Sequence, residues 1–289
     1  MRDGCREYAR GLLVACLGVL LCGCAAGPPP LPICPGKPTL KASLQALASY
    51  GQNAVPLRAN GEALLTYHVP DKKKPERHIL PMKMWFNPPI DIYIQGSIAV
   101  DPRAVTVGSN EKEFWLALRP KEMNAFYRGQ WRDVRDVDGL LVSPRVVLEA
   151  FGIVVEPNDV ANSSLWAMEN KGPYDILTRR DEAGRLLKRV YVHACTYLVR
   201  RIEHFDPEGQ IALLAQFRKY KPVAGGFHVP TAINLISTAP DGRKDFIRID
   251  ITSTKVMEFS EPQRRYLFVP KPDTFENVYR YENGQWVPE

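Results

Sequence analysis

Three things are scarce in this 289-residue chain: histidine, cysteine beyond the first few turns of sequence, and any apolar run long enough to cross a bilayer. The five histidines, His68, His78, His193, His204 and His228, are scattered over separate segments. There is no H-E-x-x-H, no G-x-S-x-G elbow, no phosphate-cradling glycine loop and no EF-hand pattern. We therefore expect no catalytic residue, no metal site, no cofactor and no enzymatic activity. Of six cysteines, four lie at or before Cys24, which leaves Cys34 and Cys195, and no C-x-x-C pair. The apolar run from Gly11 to Leu21 is about half of the roughly 20 residues that a spanning helix needs. The formal charge of +6 comes from dispersed Lys and Arg rather than a basic block, so it reads as a solvated surface and not as a nucleic-acid footprint.

What the N-terminus does have is ordered. Arg2, Arg6 and Arg10 precede the apolar run, and the run ends at Leu21-Cys22-Gly23-Cys24, followed by small residues and prolines. Basic entry, short apolar stretch and small residues make a secretory signal. The final quartet resembles the lipobox of bacterial lipoproteins, which implies that Cys24 is acylated and that the protein meets a membrane through an N-terminal lipid anchor. Acyl chains anchor a domain at about 0.8 kcal/mol per buried CH2 without a spanning helix. The organisation expected is a signal peptide over 1–23, a Pro-rich tether over 24–38 and a single domain over 39–289. Export makes a disulfide between Cys34 and Cys195 conceivable, but sequence does not show that the two approach each other, and the pairing stays open.

Beyond the tether, "TLKASLQALASYG" spaces Leu40, Leu44 and Leu47 as one helical face, with Thr39 as N-cap and Gly51 as stop. From Arg58 the period becomes two. Ile90, Ile92 and Ile94 share one face, as do Phe114, Leu116 and Leu118, then Val190 and Val192, then Ile211, Leu213 and Phe217, then Ile247, Ile249 and Ile251. Glycine-bearing turns such as "RRDEAGRL", "FDPEGQI", "APDGRKD" and "YENGQW" separate these strands. They predict an antiparallel meander. One short helix interrupts it in "LLVSPRVVLEAFGI", with Ser143 as N-cap, Pro144 at the first position and Gly152 as terminator. Apolar residues on both faces of "IALLAQF" predict a sheet with one face packed and the other partly apolar.

The order lipobox, tether, helix, strands, short helix and further hairpins resembles the LolA/LolB superfamily of periplasmic lipoprotein carriers and lipid-binding lipoproteins. The stretch "VRRIEHFDPEGQIALLAQFRKYKPVAGGFHVPTAINL" is similar to that family's strand, D-x-x-G hairpin, strand ending in F-x-x-Y, glycine turn and Pro-opened strand. "FIRIDITSTKVME" with "RRYLFVPKPD" is similar to its closing segment. The resemblance implies a mainly β (α+β) fold, a curved antiparallel sheet or incomplete β-barrel covered by a few short helices. It also implies an apolar cavity for lipid or lipoprotein acyl chains, in a protein anchored in the cell envelope, at the outer membrane facing the periplasm.

The alternating residues named above, from Ile90 through Ile251, are the candidates for lining such a cavity. The same residues would equally fill a closed core, because periodicity reports which face is apolar and not what covers it. The alternative function is a structural or assembly lipoprotein that holds a protein partner on its sheet face.

Overall fold

The structure is a computed structural model and describes residues 34–68, 74–99, 101–119, 124–131, 144–155, 157–239, 241–282 and 285–289. Cys24, the signal segment, most of the tether and Ser143 lie outside the described residues. Ile33–Glu289 forms one compact body.

Among the described residues its framework is one unclosed, curved sheet of fifteen strands. The first meander comprises β1 (Leu57–Tyr67), β2 (Glu76–Asn87), β3 (Asp91–Ile98), β4 (Asp101–Ser109), β5 (Glu113–Leu118) and β6 (Ala125–Gln130). The second comprises β7 (Trp166–Lys171), β8 (Tyr174–Arg180), β9 (Leu186–His193), β10 (Val199–Phe205), β11 (Ile211–Pro222), β12 (His228–Thr238) and β13 (Lys244–Val256). The two are spliced by antiparallel pairing of β1 with β13, from Leu57↔Val256 to Thr66↔Phe246. A last hairpin, β14 (Asn277–Glu282) and β15 (Gln285–Pro288), joins β6 in parallel, the one departure from antiparallel pairing among the described strands. The free edges are β15 and β7.

The inner face is covered by α1 (Leu40–Gln52) and α2 (Pro144–Ala150). Thr39 caps α1 as its spacing predicts, its Oγ1 accepting from the Ala42 amide, and Leu44 and Leu47 are buried against the sheet. The helix passes through Gly51 and ends at Asn53 instead. α2 does stop at Gly152, for two reasons. Its φ of +84° lies where glycine alone is comfortable, and a Cβ there would sit 2.3 Å from the Tyr50 ring. Val146, Val147, Leu148 and Phe151 join the core, with Phe151 stacked on Phe86 at 5.0 Å.

Two further helices, α3 (Pro157–Ala161) and α4 (Glu261–Leu267), have no counterpart in the expected elements. α4 lies on the outer face. Its Ser260 amide donates to Gln263 Oε1, and Phe259, Leu267 and Phe268 cover Trp85 and Tyr93. Beside it Trp115, Ala117 and Phe126 form a second outer cluster with Phe275. Gly108 makes this possible: a Cβ on it would lie 2.2 Å from the Trp115 ring, which crosses β4 at that point. The outer face is thus covered around Trp85, Tyr93, Trp115 and Phe126, and open over β12–β13, where Asn234 pairs with Arg248, Asp250 lies on the same side, and Phe246 is exposed beside them.

Cys34 and Cys195 form a disulfide with Cα atoms 5.1 Å apart, joining the segment before α1 to the β9–β10 turn. The Lys37 amide donates to the buried Asp175 carboxylate nearby, so residues 34–37 belong to the body.

Candidate ligand cavity

Among the described residues none fills the space between the helical cover and β9. A cavity of about 840 Å3 is walled by Ala48, Gly51 and Gln52 of α1, Leu148 and Glu149 of α2, and Ile153, Val154 and Val155 behind them. Pro89 and Ile90 lie on the β2–β3 turn, Trp131 follows β6, and Arg179, Leu187 and Lys188 come from β8 and β9. That volume lies in the range of sites that bury a small organic ligand, about 300–1,000 Å3.

Its apolar wall surrounds a buried ion network. Glu149 is 2% exposed; its Oε1 accepts from Lys188 Nζ at 3.0 Å and its Oε2 meets His204 Nε2 at 2.8 Å. Lys188 also donates to the Val154 carbonyl at 2.9 Å. Burial alone would push the Glu149 carboxyl up, but Lys188, His204 and Arg145 together hold it well below the usual carboxylate range. Arg179 pairs with Asp159 at 3.3 Å, and the Trp166 indole donates to the same carboxylate. The Arg145 guanidinium lies 6.0 Å from the Trp131 ring centroid. Among the described lining residues three cations, Arg145, Arg179 and Lys188, balance three acids, Glu111, Glu149 and Asp159.

The residues proposed from periodicity take defined places. Ile92, Ile94, Val190, Val192, Leu213, Phe217, Ile247, Ile249 and Ile251 belong to one buried cluster under the helices, and Ile90 and Leu116 pack against its margin. Phe114 is buried against Trp131, ring to ring at 5.0 Å, while Leu118 and Ile211 are half-buried. Of these candidates Ile90 alone lines the 840 Å3 cavity. The polar lining was missed, although a signal for it exists: Glu149 is the single charge in "VVLEAFGIVV", a run otherwise apolar on all sides, and a charge buried there needs a partner. Among the described residues no group of His, Cys, Asp and Glu is placed to hold a metal, and no helix is long and apolar enough to cross a membrane.

No family model matches the chain, and no curated protein does. Solved structures do. A DUF1329 family protein from Desulfovibrio piger aligns over 78% of this chain and 96% of its own, at 17% identity and a TM-score of 0.50. A putative outer membrane lipoprotein-sorting protein domain from Vibrio parahaemolyticus aligns over 78% and 94%, at 11% identity and a TM-score of 0.51. The fold is LolA-like. A LolA superfamily protein from Nitrosomonas europaea aligns over 76% and 96%, at 11% identity and a TM-score of 0.46. Within that LolA-like frame the inner face is solid under the helices and hollow beside them.

Proposed function

We propose that this protein is a non-enzymatic envelope lipoprotein, anchored through Cys24, that holds a lipid or lipoprotein acyl chain in the cavity beside α1. The observation that carries the reading is the cavity: 840 Å3, with apolar wall from Ala48, Leu148, Ile153, Val154, Val155 and Leu187, and with Lys188 and Arg179 already paired to Glu149 and Asp159. Such a hollow favours a chain leaving water. About fifteen methylenes bring a gross gain of roughly 12 kcal/mol at about 0.8 kcal/mol each. The Vibrio neighbour, a putative outer membrane lipoprotein-sorting protein domain, agrees with this chemistry, and outer-membrane anchoring facing the periplasm fits it.

The disulfide adds geometry to the anchor. With residue 34 pinned to the β9–β10 turn, the span from Cys24 reaches at most about 35 Å when fully extended. The β9–β10 turn would then stay near the bilayer surface, at the Leu40 end of α1, with the cavity beside the Gln52 end. The competing reading, a scaffold that docks a protein on the outer face, would use exposed Ile79 and Phe246 beside β1.

Native mass spectrometry with lipid extraction separates the two. The full chain carrying Cys24→Ser, purified without detergent, is expected to co-purify with phospholipid or acylated peptide. Ala48→Trp, which fills the cavity from α1, is expected to abolish that mass. An apo mass unchanged by incubation with fatty acid and phospholipid would overturn the carrier reading.

A further inference from the structure

A second recess lies on the outer face, on the opposite side of the sheet from the cavity, and is built from different chemistry. It is a notch of about 40 Å3 between β3–β6 and the α4 segment, with Tyr93, Trp115, Phe126 and Phe275 as its aromatic floor. Among the described residues three cations line it, Arg103, Arg119 and Lys271, and no carboxylate does. Among the described residues none of the three forms an ion pair. Their contacts are aromatic or neutral. Arg119 lies 4.9 Å from the Phe275 centroid, Lys271 lies 4.2 Å from the Tyr266 centroid, and Arg103 Nη1 donates to Tyr266 Oη at 3.3 Å.

Three like charges gathered in one recess repel one another, and partial burial strengthens that repulsion. Arg248 and Arg185 have carboxylates within reach, Asp250 and Asp181, whereas Arg218 and Arg264 are single cations with neutral partners; the notch differs from both in gathering three cations. Burial pushes the Tyr93 hydroxyl up, and Arg103 and Arg119 both pull against it, so the two guanidinium fields act on one point inside the notch. Tyr266 Oη accepts from Arg103 and keeps its own proton to donate. The free volume of about 40 Å3 leaves room for a small group and not for a chain.

We propose that this notch binds a phosphate-class oxyanion, clamped by Arg103 and Arg119, with Lys271 supplying a point charge and the Tyr266 hydroxyl a further donor. Guanidinium groups suit the role because their forked donors match two phosphate oxygens at once. Tyr266 and Val269, at 55% and 50% exposure, form an apolar rim beside the notch. The phosphate is therefore either free or carried on a lipid headgroup whose glycerol end meets that rim. This site is independent of the inner cavity and stands whether or not that cavity holds an acyl chain.

The test is a titration of the full chain carrying Cys24→Ser, followed through the side-chain Nε–H signals of Arg103 and Arg119 by NMR. Inorganic phosphate and glycerol phosphate are compared with chloride at equal ionic strength. Saturable shifts with the phosphates and none with chloride are expected. Arg103→Gln and Arg119→Gln should each weaken binding about tenfold and Lys271→Gln about fivefold, while Lys244→Gln on the β12–β13 hairpin should change nothing. The charge-preserving pair Arg103→Lys with Arg119→Lys should retain part of the affinity, which separates lost charge from lost fold. Sedimentation with vesicles of phosphatidylcholine, alone or mixed equally with phosphatidylglycerol, then identifies the source. Binding that needs phosphatidylglycerol and falls in Arg119→Gln assigns a headgroup; phosphate binding without vesicle binding assigns a free phosphate. Shifts that are equal in chloride, or absent with both phosphates and unmatched by any vesicle difference between wild type and Arg119→Gln, would overturn the proposal.

Discussion

The sheet has a recess on each side, and the two treat charge in opposite ways. The inner cavity sets three cations against three acids and ties the deepest pair, Glu149 and Lys188, into hydrogen bonds with His204 and the Val154 carbonyl. The outer notch gathers three cations with no acid among its described lining residues. A hollow neutralised from within asks its occupant for apolar surface, whereas one left positive asks for an anion. Charge in the inner recess is therefore part of the fold's stability, and charge in the outer recess is free for a ligand.

That contrast breaks most visibly at Glu149. Glu149→Gln leaves Lys188 buried without a counter-charge, and loss of one partner from a buried pair costs about 3–5 kcal/mol. Urea unfolding should show this as a lower midpoint at unchanged slope. Replacing both partners, Glu149→Leu with Lys188→Met, should recover much of the loss. Arg103→Gln at the notch should stay within about 0.5 kcal/mol of wild type. Equal losses at the two recesses would erase the distinction.

The next effect concerns what holds the cavity roof. Cys195→Ser opens a disulfide whose cysteines are 161 residues apart and whose partner, Cys34, begins the segment leading into α1. A cross-link over so long a loop stabilises by about 2–4 kcal/mol, chiefly through the unfolded chain. Because α1 walls the inner cavity and touches no residue of the outer notch, lipid occupancy should fall in this variant while phosphate affinity holds. Loss of both together would mean that the recesses are one cooperative unit.

The parts of this architecture that local physics sets are readable in the chain. Alternation placed Ile92, Ile94, Val190, Val192, Ile247, Ile249 and Ile251 on one face, and all are in one core. Thr39 caps where its spacing puts it, and Gly152 stops α2. What escapes is what depends on distant partners. Lys188 meets Glu149 from another element, α4 covers Trp115's side of the sheet from far along the chain, and β14 pairs with β6 across the whole second meander. A period of two says that Leu116 and Trp115 point opposite ways, but not that both sides will be covered. The cavity itself is a failure of packing between helix and sheet, a difference of shapes with no local signature. So the periodic residues found the solid half of the inner face, and only Ile90 reached the hollow half.

The smallest effect tests how the roof is latched. Tyr50, near the end of α1, donates its hydroxyl proton to the His228 carbonyl at 2.6 Å and accepts from the His228 amide at 3.0 Å. Burial, only partly offset by the His228 bond, pushes its pKa up from 10.0 to about 12. Between those values the unfolded chain has lost this proton and the folded chain keeps it, so the folded state binds more protons and stability falls as pH rises. The contribution is whole below pH 10 and gone above about 12. Tyr50→Phe should cost about 1–2 kcal/mol at neutral pH, since the His228 amide loses its acceptor. It should also make the alkaline slope of stability shallower rather than flat, because burial raises Tyr197 and Tyr220 as well. Lipid occupancy should drop with the latch, and phosphate binding at the outer notch should not move. An unchanged alkaline slope in Tyr50→Phe would mean that the hydroxyl is solvated and that α1 is held by Leu44, Leu47 and the disulfide alone.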